Sequence, residues 1–277
     1  MGSNHKYALV TGASSGIGWH IAETLAGKGY SVVAVSNQPI QLDNLKKSLE
    51  QAYGITVIIF STDLARENSA QQIFEFCEKH SLTVEVLVNN AGMFIFGETV
   101  TADYSAMRSM LNLHMVTPVL LSRMFCESMI RRGIGYIMNI SSITAVMPYP
   151  GISLYGPTKA FIRHFTRAIR TEMKLYGIKV TCLLPGAVST AFYGTDKYNT
   201  PVFRLLGLMK TPQTVAKAGV NALFKNRPEC VPGLLNKIIV FLLPLVPHSI
   251  ISLINKRTNL VRAKPHQERH TVSGRTL

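Results

Sequence analysis

Tyr7-Ala8-Leu9-Val10-Thr11-Gly12-Ala13-Ser14-Ser15-Gly16-Ile17-Gly18 is a short apolar run that turns through glycines into the start of a helical pattern. A strand passing directly into a helix is the opening of a βαβ unit. Gly12, Gly16 and Gly18 remove side chains where the backbone must turn tightly, approach a pyrophosphate and pack the new helix on its strand. The N-terminus of that helix favours negative charge, because its first N–H groups have no partner within the helix. Ser14, Ser15 and Ile17 complete the turn and are candidate ligand-binding residues with the three glycines. The spacing, Gly-x3-Gly-x-Gly, differs from the commoner G-x-G-x-x-G fingerprint.

Outward from this turn, further β-branched runs occupy residues 31–36, 56–61, 84–89, 136–140 and 180–184, separated by stretches long enough for crossover helices. This order predicts an α/β fold, a doubly wound parallel sheet whose ligand lies beyond the carboxyl ends of the strands. Residues 191–210 mix aromatics, glycines and polar groups, as a mobile loop over a site would. Thr211-Pro212 then supplies an N-cap and a first-turn proline for a helix reaching Lys225. The expected organisation is a binding and catalytic domain over residues 1–225 and a C-terminal helical, apolar and basic extension over residues 226–277. With 277 residues, 47% hydrophobic and 16% charged, the chain can fill one large core, which excludes disorder. Cys77, Cys126, Cys182 and Cys230 lie far apart without a CxxC pair, so they read as core thiols in a reducing compartment; neither a disulfide framework nor a metal site is expected.

The residues after each strand carry the chemistry. Asn89-Asn90-Ala91-Gly92 follows the fourth run, Asp63-Leu64 the third, and Pro185-Gly186-Ala187-Val188-Ser189-Thr190 the sixth. Tyr155 and Lys159 are an i, i+4 pair, which a helix places on one face with a rise of about 6 Å. A phenol with a pKa near ~10 is a poor proton donor or acceptor at neutral pH, and a neighbouring ammonium lowers that value by stabilising the phenolate. Ser142 stands thirteen residues before the tyrosine, and Asn112 lies in Leu111-Asn112-Leu113.

Together these motifs resemble the short-chain dehydrogenase/reductase family over roughly residues 5–225, and the resemblance implies a Rossmann fold, NAD(P) and an alcohol/ketone oxidoreductase. It assigns Tyr155 to proton donation to a substrate carbonyl, Lys159 to lowering the tyrosine pKa and holding the nicotinamide ribose, and Ser142 to the oxygen on which charge develops. Asn112 would keep a water in a relay to Lys159. It also implies a cofactor-site motif in which the polar groups of Asn89-Asn90 stabilise the central strand while the small residues Ala91 and Gly92 make room for the adenine ribose, that Asp63 and Leu64 meet the adenine, and that Pro185, Gly186, Val188 and Thr190 cover the nicotinamide. Association into a homo-oligomer through long helices, expected over residues 102–131 and 158–176, is usual in such proteins.

The second strand ends Val35-Ser36-Asn37-Gln38, without the carboxylate that accepts a ribose 2′-hydroxyl in NAD sites. No lysine or arginine stands there either, so Asn37 and the neighbouring hydroxyls and amides would only hydrogen-bond a 2′-phosphate; NADPH is favoured over NADH. The formal charge is +14, and residues 201–277 hold 12 basic against 2 acidic side chains. Residues 231–264 include an apolar stretch interrupted by Lys237, Pro244 and Pro247, whereas a spanning helix needs about 20 apolar residues. This extension resembles that of family members acting on long-chain lipids, so the expected substrate is an apolar ketone of 3-ketosphinganine or 3-oxoacyl type, with a steroid as the main rival. A nonenzymatic nucleotide sensor on the same fold is the rival of another class. Met93, Phe94, Phe96, Met147, Phe192 and Tyr193 fit an apolar pocket and equally a core. The extension lacks the aromatic interleaving of a nucleic-acid binder, so peripheral contact with an anionic membrane is expected and nucleic acid is not. With no charged-then-apolar leader before Tyr7, the reading is cytoplasmic, on the cytoplasmic face of a membrane where it touches one.

Overall fold

The computed structural model describes residues 6–146, 150–189, 209–247, 249, 250 and 253. Thr190 and the sequence candidates Met147, Phe192 and Tyr193 lie outside the described residues, as does most of the expected loop over 191–210.

Seven parallel strands form one sheet: β1 Lys6–Thr11, β2 Ser31–Ser36, β3 Val57–Ser61, β4 Thr83–Asn89, β5 Tyr136–Ile140, β6 Lys179–Leu183 and, at the edge, β9 Glu229–Cys230. The spatial order is β3-β2-β1-β4-β5-β6-β9. The chain builds outward from β1 in one direction and then returns to add β4 on its other side. The pairings Val10↔Ala34 and Val10↔Val88 flank the point where the order reverses, which is where a doubly wound sheet opens a crevice. A second, two-stranded sheet joins β7 Ala187–Val188 to β8 Met209–Lys210.

Both faces of the large sheet are covered, which is why β2 reads Ser31-Val32-Val33-Ala34-Val35-Ser36 and is buried throughout instead of alternating. Helices α1 Gly16–Ala26, α2 Pro39–Tyr53 and α7 Pro212–Phe224 cover one face, with Ile21, Leu45 and Val220 wholly buried among Ala8, Val32 and Val86. Helices α3 Ser69–Lys79, α5 Thr117–Arg132 and α6 Tyr155–Lys174 cover the other, packing Ile73, Leu121 and Ile169 on Leu9, Leu87 and Val180. Thr211 caps α7 by accepting from the Thr214 N–H, and Pro212 occupies its first turn, where no N–H is needed.

Three features depart from the sequence expectation. The helix expected over 102–131 is interrupted: α4 Tyr104–Leu111 passes into a π turn, Asn112–Val116, before α5 begins. The helix expected over 158–176 starts at Tyr155, with Pro157 in its first turn. Residues beyond 225 also enter the main sheet, because β9 pairs with β6. Beyond it, α8 Leu234–Leu242 is short, and no described helix is long and apolar enough to cross a membrane.

Candidate active site

The β1–α1 turn is held open by its glycines. Gly12 and Gly16 have φ of +64° and +57°, the left-handed region that a side chain disfavours. A Cβ on Gly18 would stand 2.1 Å from the Gly12 carbonyl oxygen, so this glycine fixes how closely α1 approaches its own turn. Ser15 is the N-cap residue, but its side chain caps nothing, leaving the first N–H groups of α1 to another acceptor. Thr11 and Asn90 brace the turn from behind. The Thr11 hydroxyl donates to the Val88 carbonyl and accepts from the Asn90 and Ala91 N–H groups at 2.9 and 3.1 Å. The Asn90 amide donates to the Thr11 and Gly12 carbonyls at 2.9 and 3.2 Å.

From this turn a cleft of about 790 Å³ runs along the carboxyl ends of the strands. Its walls include Gly12, Ser14, Ser15, Gly16 and Ile17 near one end, Asn37, Asp63, Leu64, Ala91 and Gly92 along it, and Ser142, Tyr155, Lys159, Pro185, Gly186 and Val188 at the other. Ser14 and Ser36 hydroxyls share a hydrogen bond of 2.8 Å beside Asn37. The shape and donors fit a dinucleotide: uncapped helical N–H groups for the pyrophosphate, a glycine turn too close for side chains, and a polar terminus without carboxylates after β2.

Three of the proposed catalytic side chains face this cleft together. Tyr155 opens α6, and Lys159 sits one turn on, its Nζ 5.6 Å from the Tyr155 ring centroid. The ammonium donates to the Ile140 carbonyl at 3.2 Å, and burial draws its pKa down to about 8. The Ser141 hydroxyl donates to the Lys159 backbone carbonyl at 2.7 Å, tying the end of β5 to α6. Ser142 Oγ accepts from the Thr144 N–H at 3.1 Å. The edge-to-face ring of Phe94, 5.0 Å from that of Tyr155, packs with Met93, Ile95, Met110, Ile152 and Leu154 in a small apolar cluster around the tyrosine, of which Met93 and Tyr155 line the cleft. Phe96 is 42% exposed and stacks on Phe94 at its outer side.

Three sequence candidates stand behind the wall instead of in it. Gly18 lies beneath the turn, as described. Asn89 is turned into the core, where its amide donates to Asn139 Oδ1 at 2.8 Å and to Ser122 Oγ at 3.2 Å; Asn139 in turn donates to Thr166. This network supports the strand ends, and the neighbouring Asn90 is the member of the doublet that reaches the glycine turn. Asn112 opens the π turn and donates from its amide to the Ala65 carbonyl at 2.9 Å, joining the helix kink to the cleft rim. Sequence reasoning missed Thr11, Asn90 and His114. The Asn-Asn doublet held the signal for Asn90, but which member faces the turn depends on the pleat of β4.

Chemically, one end of the cleft can bind phosphate and the other can manage a proton. A bound nicotinamide would supply the hydride. Ser142 and Tyr155 would hold the oxygen of a carbonyl, and Lys159 would favour the phenolate left when Tyr155 gives up its proton.

The sequence over residues 6–199 matches the short chain dehydrogenase family, and the chain belongs to it. It is accordingly an NAD(P)-dependent oxidoreductase of the alcohol/ketone class. Among its relatives are very-long-chain 3-oxoacyl-CoA reductase-A of Danio rerio, 32% identical over 191 residues, and the corresponding reductase of Anas platyrhynchos, 28% identical over 265 residues. These alignments cover 67% and 93% of this chain, and 59% and 81% of the relatives, so the chain spans little more than half the length of the first. Human 17-beta-hydroxysteroid dehydrogenase type 3 is 29% identical over 87% of this chain and 76% of its own. A short-chain dehydrogenase from Sphingobium yanoikuyae, solved in complex with NADPH, superimposes with a TM-score of 0.75 at 25% identity, covering 98% of both chains.

Proposed function

We propose that this protein reduces a ketone on an apolar, lipid-like substrate of 3-oxoacyl or 3-ketosphinganine type, using NADPH. The observation that carries the reading is one cleft joining the uncapped glycine turn to the buried Tyr155–Lys159 pair. In this reading Tyr155 donates the proton, Ser142 steadies the carbonyl oxygen and Lys159 holds the ribose; Asn112, whose amide is held by the Ala65 carbonyl, acts from behind the wall by fixing the helix kink at the cleft rim, and the water relay expected of it finds no support there. The 3-oxoacyl-CoA reductases among the relatives and the apolar cluster of Phe94 and Met93 beside Tyr155 support a lipid substrate. The similarity to a 17-beta-hydroxysteroid dehydrogenase favours a second reading, a ketosteroid. Ser36, Asn37 and Gln38 bring no carboxylate to the end of β2, which supports NADPH.

The reading extends to a membrane interface. Helix α8 and the turn after it expose Leu234, Phe241 and Leu245 by 76%, 76% and 71%, and the sequence around and beyond them is strongly basic. An exposed apolar face with basic flanks suits an anionic bilayer surface.

The test is oxidation of NADPH and NADH by the purified chain against matched 3-oxoacyl thioester, 3-keto sphingoid and ketosteroid substrates. Faster turnover of a 3-keto lipid with NADPH is expected. Preference for the ketosteroid, or for NADH, overturns the corresponding half of the proposal.

A further inference from the structure

The geometry points to His114 as a positioning residue: we infer that its neutral imidazole, clamped between the loop after β4 and the first turn of α6, sets the placement of the Tyr155 phenol. The inference rests on the reading of Tyr155 as proton donor and goes beyond it, because none of the motifs includes this histidine.

His114 lies within the π turn Asn112–Val116 and is 2% exposed. A π turn widens the helix locally, and such turns often mark functional sites. Its two nitrogens have separate partners. Nε2 accepts from the Met93 N–H at 3.0 Å, so in the neutral ring the proton resides on Nδ1, which faces Thr158 Oγ1 at 2.9 Å. The Thr158 hydroxyl donates onward to the Tyr155 carbonyl at 2.8 Å. All three bonds therefore run in one direction: Met93 N–H to His114, His114 to Thr158, Thr158 to Tyr155. A second proton on the ring would set an N–H against the Met93 N–H. Burial first, and the nearby Lys159 ammonium second, hold the imidazole pKa well below its ordinary value, in agreement with that polarity.

The clamp acts where regular structure gives no support. The segment from Asn90 to Phe96 is neither helix nor strand, yet it carries Phe94 against Tyr155. His114 itself meets the Tyr155 ring edge-to-face, with centroids 5.7 Å apart. Gly92 makes room for it, since a Cβ there would be 3.1 Å from Nε2. One side chain thus fixes the loop, the N-terminal turn of α6 and one edge of the phenol. Reaction rates are sensitive to placement, with a displacement of about 1 Å costing on the order of a hundredfold.

The experiment compares wild type, His114→Leu, His114→Asn and His114→Gln in the full chain. Leucine removes both hydrogen bonds, asparagine can retain the donor toward Thr158, and glutamine can retain the acceptor toward Met93. Two readouts are taken: kcat and KM for NADPH on whichever ketone wild type reduces best, and the near-ultraviolet absorbance step of phenolate formation that Tyr155→Phe removes. We expect His114→Leu to lower kcat about ten- to a hundredfold with KM for NADPH little changed. The Tyr155 step should move to higher pH as the phenol loses its setting beside Lys159, with the asparagine and glutamine variants in between. Wild-type kcat and an unmoved phenolate step in His114→Leu overturn the inference; if that variant does not fold, the same result in both amide variants does so. Wild-type kcat in Tyr155→Phe sinks the assignment of Tyr155 instead, and the phenolate titration still decides the role of His114.

Discussion

A buried lysine with one hydrogen bond is a liability to folding unless its charge has a task. Lys159 is 5% exposed, donates to the Ile140 carbonyl and has its pKa drawn from 10.5 down to about 8 by burial. The sign of the consequence is fixed. Between the two values the unfolded chain holds a proton that the folded chain has released, so this group makes stability rise with pH across that window; below it both states are protonated and the burial cost is felt in full. Relative to wild type, Lys159→Met should therefore gain thermal stability most near neutral pH, with its advantage shrinking as pH rises through the window. A difference that does not vary with pH contradicts this account, and paired calorimetric melts measure it. The same residue was legible in the sequence, because an i, i+4 phenol and ammonium are meaningful together on any helix. Asn89 and Asn90 were not separable in that way. Their sides are set by strand pleat and by the register Asn89↔Asn139, which two adjacent asparagines do not reveal. His114 was hidden for a similar reason, since its partners Met93 and Thr158 are distant in sequence and meet only through the fold.

At the scale of elements, periodicity located most strands to within a residue and the N-terminus of α7 through its cap. It missed β9, whose two residues are too few to show a pattern, and it read through the π turn because Asn112–Val116 keeps an unbroken helical composition. The element least explained by packing is α8. Its buried Asn236 seats on the Pro185–Gly186 segment, where a Cβ on Gly186 would be 2.5 Å from the amide nitrogen, while Leu234 and Phe241 face outward. One side of the helix thus packs on a segment of the cleft wall, while Leu234 and Phe241 on the other side are exposed. Burying a large apolar side chain is worth about 1.5–3 kcal/mol, so replacing two of them should weaken a membrane contact at least about tenfold. Leu234→Ser with Phe241→Ser should accordingly sediment less with anionic vesicles while keeping NADPH binding. Equal sedimentation of variant and wild type, or none by wild type, contradicts a membrane role for α8.

For the whole molecule, function follows from where the strand order reverses. Because β1 and β4 are neighbours, the turns after them meet, and Asn90 can reach across to Thr11 and Gly12. Because β5 lies next in the sheet, Ser141 and Ser142 emerge beside Lys159 on α6. The strand sequence made this arrangement predictable, since a glycine-rich first turn and alternating βα units leave little freedom in topology. Substrate choice was less legible. The segment that carries Phe94 against Tyr155 is neither helix nor strand, so it has no period to read.

The proposed function has this cleft bind NADPH at one end and move a proton through Tyr155 at the other. Its most direct test is Tyr155→Phe in the full chain, measured for NADPH binding by the fluorescence of the reduced nicotinamide and for ketone reduction by NADPH oxidation. Binding close to wild type is expected, with a loss of turnover of about a hundredfold or more, in line with removal of a positioned general acid. Ketone reduction at the wild-type rate by that variant contradicts it.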